Sequence, residues 1–153
     1  MSLIRMLAES GRYVFHGSSL KLKQLEPRQA YKRNHDTGRM EKDGLPVVFA
    51  TNVPDIAIFM AIVDKSRING EFNTYFDCTN GNGCINVRLS ATPNVLTLLP
   101  ELSGFVYVLE TSDFKKRHGK IAEYISQKPV YPVAVVPVTA EDLVRTIEEY
   151  NPR

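Results

Sequence analysis

Six short runs rich in valine, tyrosine and phenylalanine divide this chain: Tyr13 to Ser18, Val47 to Thr51, Thr74 to Cys78, Cys84 to Ser90, Gly104 to Leu109 and Val130 to Val138. Each is bounded by glycine, asparagine or proline, the pattern of β-strands ended by turns. Helical periodicity is scarcer. Val53 to Lys65 places Pro54 early and Ile56, Phe59, Met60 and Val63 at helical spacing. Ser2 to Glu9 reads as a short amphipathic helix. Thr139 to Tyr150 reads as a last helix, capped by Thr139, with Glu141 and Asp142 at its positive end and Leu143, Val144 and Ile147 on its apolar face. Strands and helices do not alternate as βαβ units, so the chain is expected to be a single α+β domain over residues 1–153. Pro132 and Pro137 push the last strand run towards an edge, because neither offers an amide donor.

Two segments are less regular. The polar stretch Leu20 to Leu45 has little periodicity, and a connection of that length is expected to be a functional loop or disordered. Between Lys21 and Lys42 seven basic side chains stand against three acidic ones, a local excess that suits a solvated loop first and a phosphate-binding patch second. The whole-chain charge of +2 does not mark a nucleic-acid binder. Asn80-Gly81 and Asn82-Gly83 mark a hairpin turn, with Cys78 and Cys84 opposite each other across it. A hairpin disulfide fits that placement, and a cytoplasmic compartment favours two thiols instead. No apolar run reaches the roughly 20 residues that cross a bilayer, and the first residues lack the apolar core of a secretion signal. A cytoplasmic protein without a membrane partner is the expectation. His35 and His118 have no companions at metal-ligand spacing, so no metal site is expected.

Three clusters carry chemistry. His16-Gly17-Ser18 ends the first strand, offering an imidazole, a glycine that lets a ligand approach the main chain, and a hydroxyl. Val48-Phe49-Ala50 leads through a capped turn towards Phe59, and both phenylalanines suit either the core or the wall of a slot for a flat ring. Glu123-Tyr124-Ile125 precedes the last strand run, where a carboxylate is costly unless paired or facing a cleft.

In this order the clusters resemble the ADP-ribosyltransferase fold family, in its diphtheria-toxin-like and poly(ADP-ribose) polymerase-like His-Tyr-Glu branch. The resemblance implies a split antiparallel β-sheet with short flanking helices, and NAD as substrate in the cleft. It implies that His16 bonds a ribose hydroxyl, the Gly17 main chain pairs with the carboxamide and Ser18 supports the ribose. Phe49 would line the slot and Phe59 would stack on the nicotinamide, while Arg28 or Lys32 would meet the pyrophosphate. Glu123 would orient the ribose and stabilise the positive charge that develops as the glycosidic bond breaks. Val48 and Phe59 stand where relatives carry tyrosines, and Glu110 and Gln127 are the competing acidic-position candidates. The implied activity is transfer of ADP-ribose to an unidentified protein or nucleic-acid acceptor. NAD-dependent RNA 2′-phosphate transfer and an inactive NAD- or ADP-ribose-binding module are the alternatives.

Overall fold

Two missing side chains set the layout of the fold. In the computed structural model, which describes residues 2–81 and 84–150, β1 (Tyr13–Ser18) and β6 (Ser103–Glu110) pair antiparallel under helix α2 (Pro54–Ile62). A Cβ on Gly17 would lie 2.0 Å from the Ala57 carbonyl oxygen, and one on Gly104 would lie 2.1 Å from that of Ala61. The helix therefore presses its main chain onto the sheet where glycines of the strands meet Ala57 and Ala61, one turn apart. Pro54 opens α2, and Ile56, Ala57, Ile58, Phe59, Ala61 and Ile62 are all buried, so the helix is covered on every side. Helix packing therefore requires a glycine at position 17 whether or not a ligand approaches its main chain.

The first sheet is completed by β9 (Ala134–Thr139) in the order β1-β6-β9. A second sheet has the order β10-β5-β4, from Ile147–Glu149, Cys84–Ala91 and Thr74–Gly81. A third has the order β2-β3-β8-β7, from Arg28–Arg33, Met40–Ala50, Tyr124–Ser126 and Lys115–Lys116. Among the described strands every pairing is antiparallel except β10 with β5. With short helices α1 (Leu3–Glu9) and α3 (Pro93–Leu98), the architecture is α+β. No described helix is long and apolar enough to cross a membrane.

The first and third sheets touch at one rung. Phe15 and Thr51 exchange both main-chain hydrogen bonds, at 2.7 and 2.8 Å, and beyond that rung β1 and β3 part. The two faces of β1 are buried in different cores. Phe15 packs with α2, Leu89 and Val106, whereas Val14 packs with Val48, Ala50, Tyr107 and Leu109.

Three expectations are corrected. Leu20 to Leu45 is largely ordered: Leu25 pairs with Val130, and β2 and β3 form a hairpin through the turn from Asn34 to Arg39. Its residues are exposed on both faces towards the tip, so no alternation of apolar residues announces it. The C-terminal helix is absent. Thr139 does cap a turn, Ala140–Asp142, with Asp142 returning the bond to the Thr139 amide. The amides of Val144 and Arg145 then donate to the Asp55 carboxylate, the chain extends, and Ile147–Glu149 becomes β10. The cysteines are not cross-strand neighbours, since Cys78 faces Val87 and Cys84 faces Gly81. Cys78 is a half-buried free thiol, its pKa raised by burial and by the nearby Asp77 and Glu123 carboxylates. The expected Asn82-Gly83 turn lies outside the described residues.

Candidate functional site

Where β1 and β3 part, the His16 ring takes over from the strand ladder. Its Nδ1 lies 2.6 Å from the Phe49 carbonyl oxygen. A carbonyl only accepts, so Nδ1 carries the proton and Nε2 of the neutral ring is an acceptor. Burial lowers the pKa of His16 and the Arg28 charge lowers it further, against the opposing bond to Phe49, so the neutral form prevails near pH 7. The edge of the ring meets Tyr107, with centroids 6.2 Å apart and planes at 60°. Because alternate residues of a strand direct their amides to the same edge, the Phe15–Thr51 rung places the Gly17 N–H and C=O on the β3 side too. There the strands have separated, so these groups border the crevice.

The crevice is a cavity of about 780 Å³, within the usual size of small-molecule sites. It is lined by six of the sequence-predicted residues together: His16, Gly17, Ser18, Arg28, Phe49 and Phe59. Phe59 also belongs to the core under α2 and is only 3 % exposed, so its packing and lining roles coincide. Arg28 is exposed on β2 opposite Val47. Lys32 is not part of the lining; its Nζ lies 3.9 Å from Asp43 further along the hairpin. The Ser18 hydroxyl accepts the Leu20 amide at 3.2 Å and keeps its own proton to donate.

The chain around the crevice is fixed by residues that the sequence motifs do not include. Tyr107, fully buried, donates its hydroxyl to the Leu20 carbonyl at 2.6 Å and accepts the Leu22 amide at 2.5 Å, holding the chain that leaves β1. Ser19 donates to Asp64, which also accepts the Ser66 amide and hydroxyl at 2.9 and 2.8 Å. These bonds, with the Arg67 charge nearby, hold the Asp64 carboxyl below its ordinary pKa. Tyr107 falls in a run that reads simply as a core strand, and only the β1–β6 register sets it beside His16. The Asp64-Lys65-Ser66 turn is the kind of local signal that sequence reasoning can find.

Glu123 stands apart. It lines a second hollow of about 400 Å³ with Asp77, Cys78, Lys120 and Ala122, and Tyr75 and Phe76 line both spaces. Glu123 immediately precedes β8, whose Ile125 faces Phe49 across the rung. Its Oε2 is buried without a hydrogen-bond partner among the described residues, and Arg117 approaches it at 3.5 Å. Sequence reasoning put Glu123 in one site with His16, and the two belong to neighbouring hollows. Of the competing candidates, Glu110 is engaged with Arg12 at 3.7 Å at the opposite end of β1 from His16.

No known protein family, curated protein or solved structure matches the chain. His35 and His118 are exposed, and no group of three His, Cys, Asp or Glu among the described residues could hold a metal. The crevice offers neutral hydrogen-bonding groups, apolar walls and charges of both signs, Arg28 and Lys65 against Glu26 and Asp64. Apolar walls with a few convergent polar groups are the usual setting of small-molecule sites.

Proposed function

We propose that the protein is an NAD-dependent ADP-ribosyltransferase, with a sheet split in the manner of that fold family and an acceptor still to be identified. The observation that carries this reading is the His16–Phe49 bond at the fork of β1 and β3. It fixes the tautomer that leaves Nε2 to accept a ribose hydroxyl. It also stands beside the free edge of Gly17, whose N–H and C=O match the two halves of a carboxamide. Phe49 and Phe59 supply apolar walls for the nicotinamide, and Arg28 a charge for the pyrophosphate.

In this reading nicotinamide departs with the electrons of the glycosidic bond, and an oxocarbenium-like ribose is left behind. Glu123 is the carboxylate assigned to stabilise it and to orient the ribose. His16 moves no proton; it holds the sugar. Calorimetry with NAD, followed by an assay of nicotinamide release with and without cell lysate as acceptor, tests the reading. Binding accompanied by release is expected, and absence of both overturns it.

A second reading has an observation of its own. Glu123 lies beyond Tyr75 and Phe76 and is approached by Arg117, which favours a module that binds NAD or ADP-ribose without turnover. Binding without nicotinamide release selects it.

A further inference from the structure

The β2–β3 hairpin separates its charges by face. Residues directly opposite in an antiparallel pair share a face. Tyr31 lies opposite Lys42 and Arg33 opposite Met40, giving one face of four exposed side chains, two of them cationic and none acidic. The strand acids lie on the other face and have partners there: Asp43 is 3.9 Å from Lys32, and Glu41 accepts from Asn34 at 2.7 Å. Asp36 is the acid of the tip turn, its amide bonded to the Asn34 side chain.

Cations along an edge strand deter pairing with another sheet, and β2 is an edge strand. That reason covers Lys32 and Arg33. It does not cover Tyr31 at 57 % exposure or Met40 at 59 %, both set among cations on an acid-free face. An exposed aromatic ring between a guanidinium and an ammonium has the chemistry that takes a base on its face and phosphates at its flanks. A duplex does not offer an unstacked base to such a ring. At its base the hairpin reaches the crevice through Arg28, Gln29 and Ala30, of which Ala30 lies on the Lys32–Asp43 face. Tyr31 is three residues from Arg28, about 10 Å along the strand.

We propose that the Tyr31–Arg33–Met40–Lys42 face of the hairpin docks a single-stranded nucleic acid, with one base stacked on Tyr31 and neighbouring phosphates on Arg33 and Lys42. Docking does not depend on the NAD reading; only a role for the docked strand as acceptor would rest on it.

Fluorescence anisotropy with a labelled single-stranded oligonucleotide of about ten nucleotides, run without NAD, is the test. Tyr31→Ala is expected to weaken binding at least about fivefold, the loss of one stacked base. Arg33→Gln with Lys42→Gln is expected to flatten the slope of log affinity against log salt by about 1.4, for two phosphates of a single strand. Lys32→Gln, on the other face, should change affinity by less than about twofold, as an exposed substitution outside the contact does. Thermal melts confirm that each exposed variant remains folded. Absence of oligonucleotide binding overturns the proposal, as does a Lys32→Gln loss equal to that of Tyr31→Ala. Equal affinity for the corresponding duplex overturns it too. So does binding to phosphatidylserine vesicles that shows the same dependence on Tyr31, which would make the face a lipid contact.

Discussion

Nδ1 of His16 donates to the carbonyl oxygen of Phe49, 2.6 Å from the nitrogen, where the β1–β3 ladder would otherwise continue. A side chain thus closes one strand edge while leaving the crevice open. Burial makes the ring reluctant to charge. The unfolded chain takes up the second ring proton, at Nε2, with a pKa near 6.5 and the folded chain with a lower one, so the unfolded state binds more protons between the two values. Stability is therefore expected to be full above about pH 6.5 and to fall as the pH drops from there through the lowered value. Denaturant melts at several pH values should show this slope, and His16→Gln should flatten it. If the two proteins share one pH profile, His16 is not the titrating group.

Asp55 is held by more charge than any other described carboxylate. Arg5 from α1 approaches it at 2.6 Å and Arg145 from the C-terminal segment at 2.9 Å, and it accepts the Val144 and Arg145 amides at 3.2 and 3.1 Å. Burial alone would raise its pKa, but these bonds outweigh burial and hold the carboxyl below its ordinary value. The sign follows: this stability is present above about pH 4 and is lost as the pH falls from there through the lower folded pKa. Asp55→Asn is expected to cost about 3 kcal/mol at neutral pH, because the desolvated side of the pair loses its charge while both guanidiniums remain. Urea melts of the variant, read alongside an acid titration, measure both effects.

The same carboxylate explains what the sequence could not disclose. Thr139, Glu141 and Asp142 carry a helix-start signal, and the capping turn forms as that signal predicts. The helix would have needed the Val144 and Arg145 amides, which Asp55, some ninety positions earlier, accepts instead. Long-range competition of this kind leaves no local trace. The β2–β3 hairpin escaped for the opposite reason, since its outer half buries neither face and so shows no period-two pattern. Tyr13–Ser18 was legible to the residue because one of its faces meets α2 and the other meets Val48 and Ala50. Five of the six lining residues were found as members of motifs, and Arg28 from the charge of its segment. Their convergence, and the separation of Glu123 from them, depended on how β4 places Tyr75 and Phe76, which no motif encodes.

Gly17 provides a test of packing against ligand approach. A methyl group there would overlap the Ala57 carbonyl at 2.0 Å, and at Gly104 that of Ala61 at 2.1 Å. The obstructing atoms are helix main chain, which cannot rotate away. Gly17→Ala and Gly104→Ala are each expected to destabilise the protein by about 3 kcal/mol or more, at or beyond the upper range of overpacked cores. Gly104 does not line the cavity, so comparable losses at both sites in thermal melts would establish helix packing as the cause. A loss confined to ligand affinity in Gly17→Ala, with stability unchanged, would return the glycine to a purely binding role.

Glu123→Gln separates chemistry from folding. Oε2 of Glu123 is buried and makes no hydrogen bond among the described residues, and its ion pair with Arg117 at 3.5 Å is partly open to solvent. The Arg117 end of the pair stays in solvent, so the pair contributes about 1 kcal/mol or less, and neutralising the buried, poorly bonded Glu123 carboxylate removes a desolvation cost of opposite sign. The melting temperature of the variant is therefore expected to stay close to that of the parent. On the transferase reading, nicotinamide release falls by at least about a hundredfold, the scale of losing one transition-state electrostatic contact, while NAD affinity changes little. His16→Ala should show the converse pattern, weakening NAD binding by about tenfold through loss of one hydrogen-bonding partner and the support behind Phe49. If Glu123→Gln retains full release, the carboxylate assignment fails even though the binding half of the site survives. If it weakens NAD binding as much as His16→Ala does, Glu123 and His16 share one ligand contact, and the ring of Tyr75 must move aside to join the two hollows.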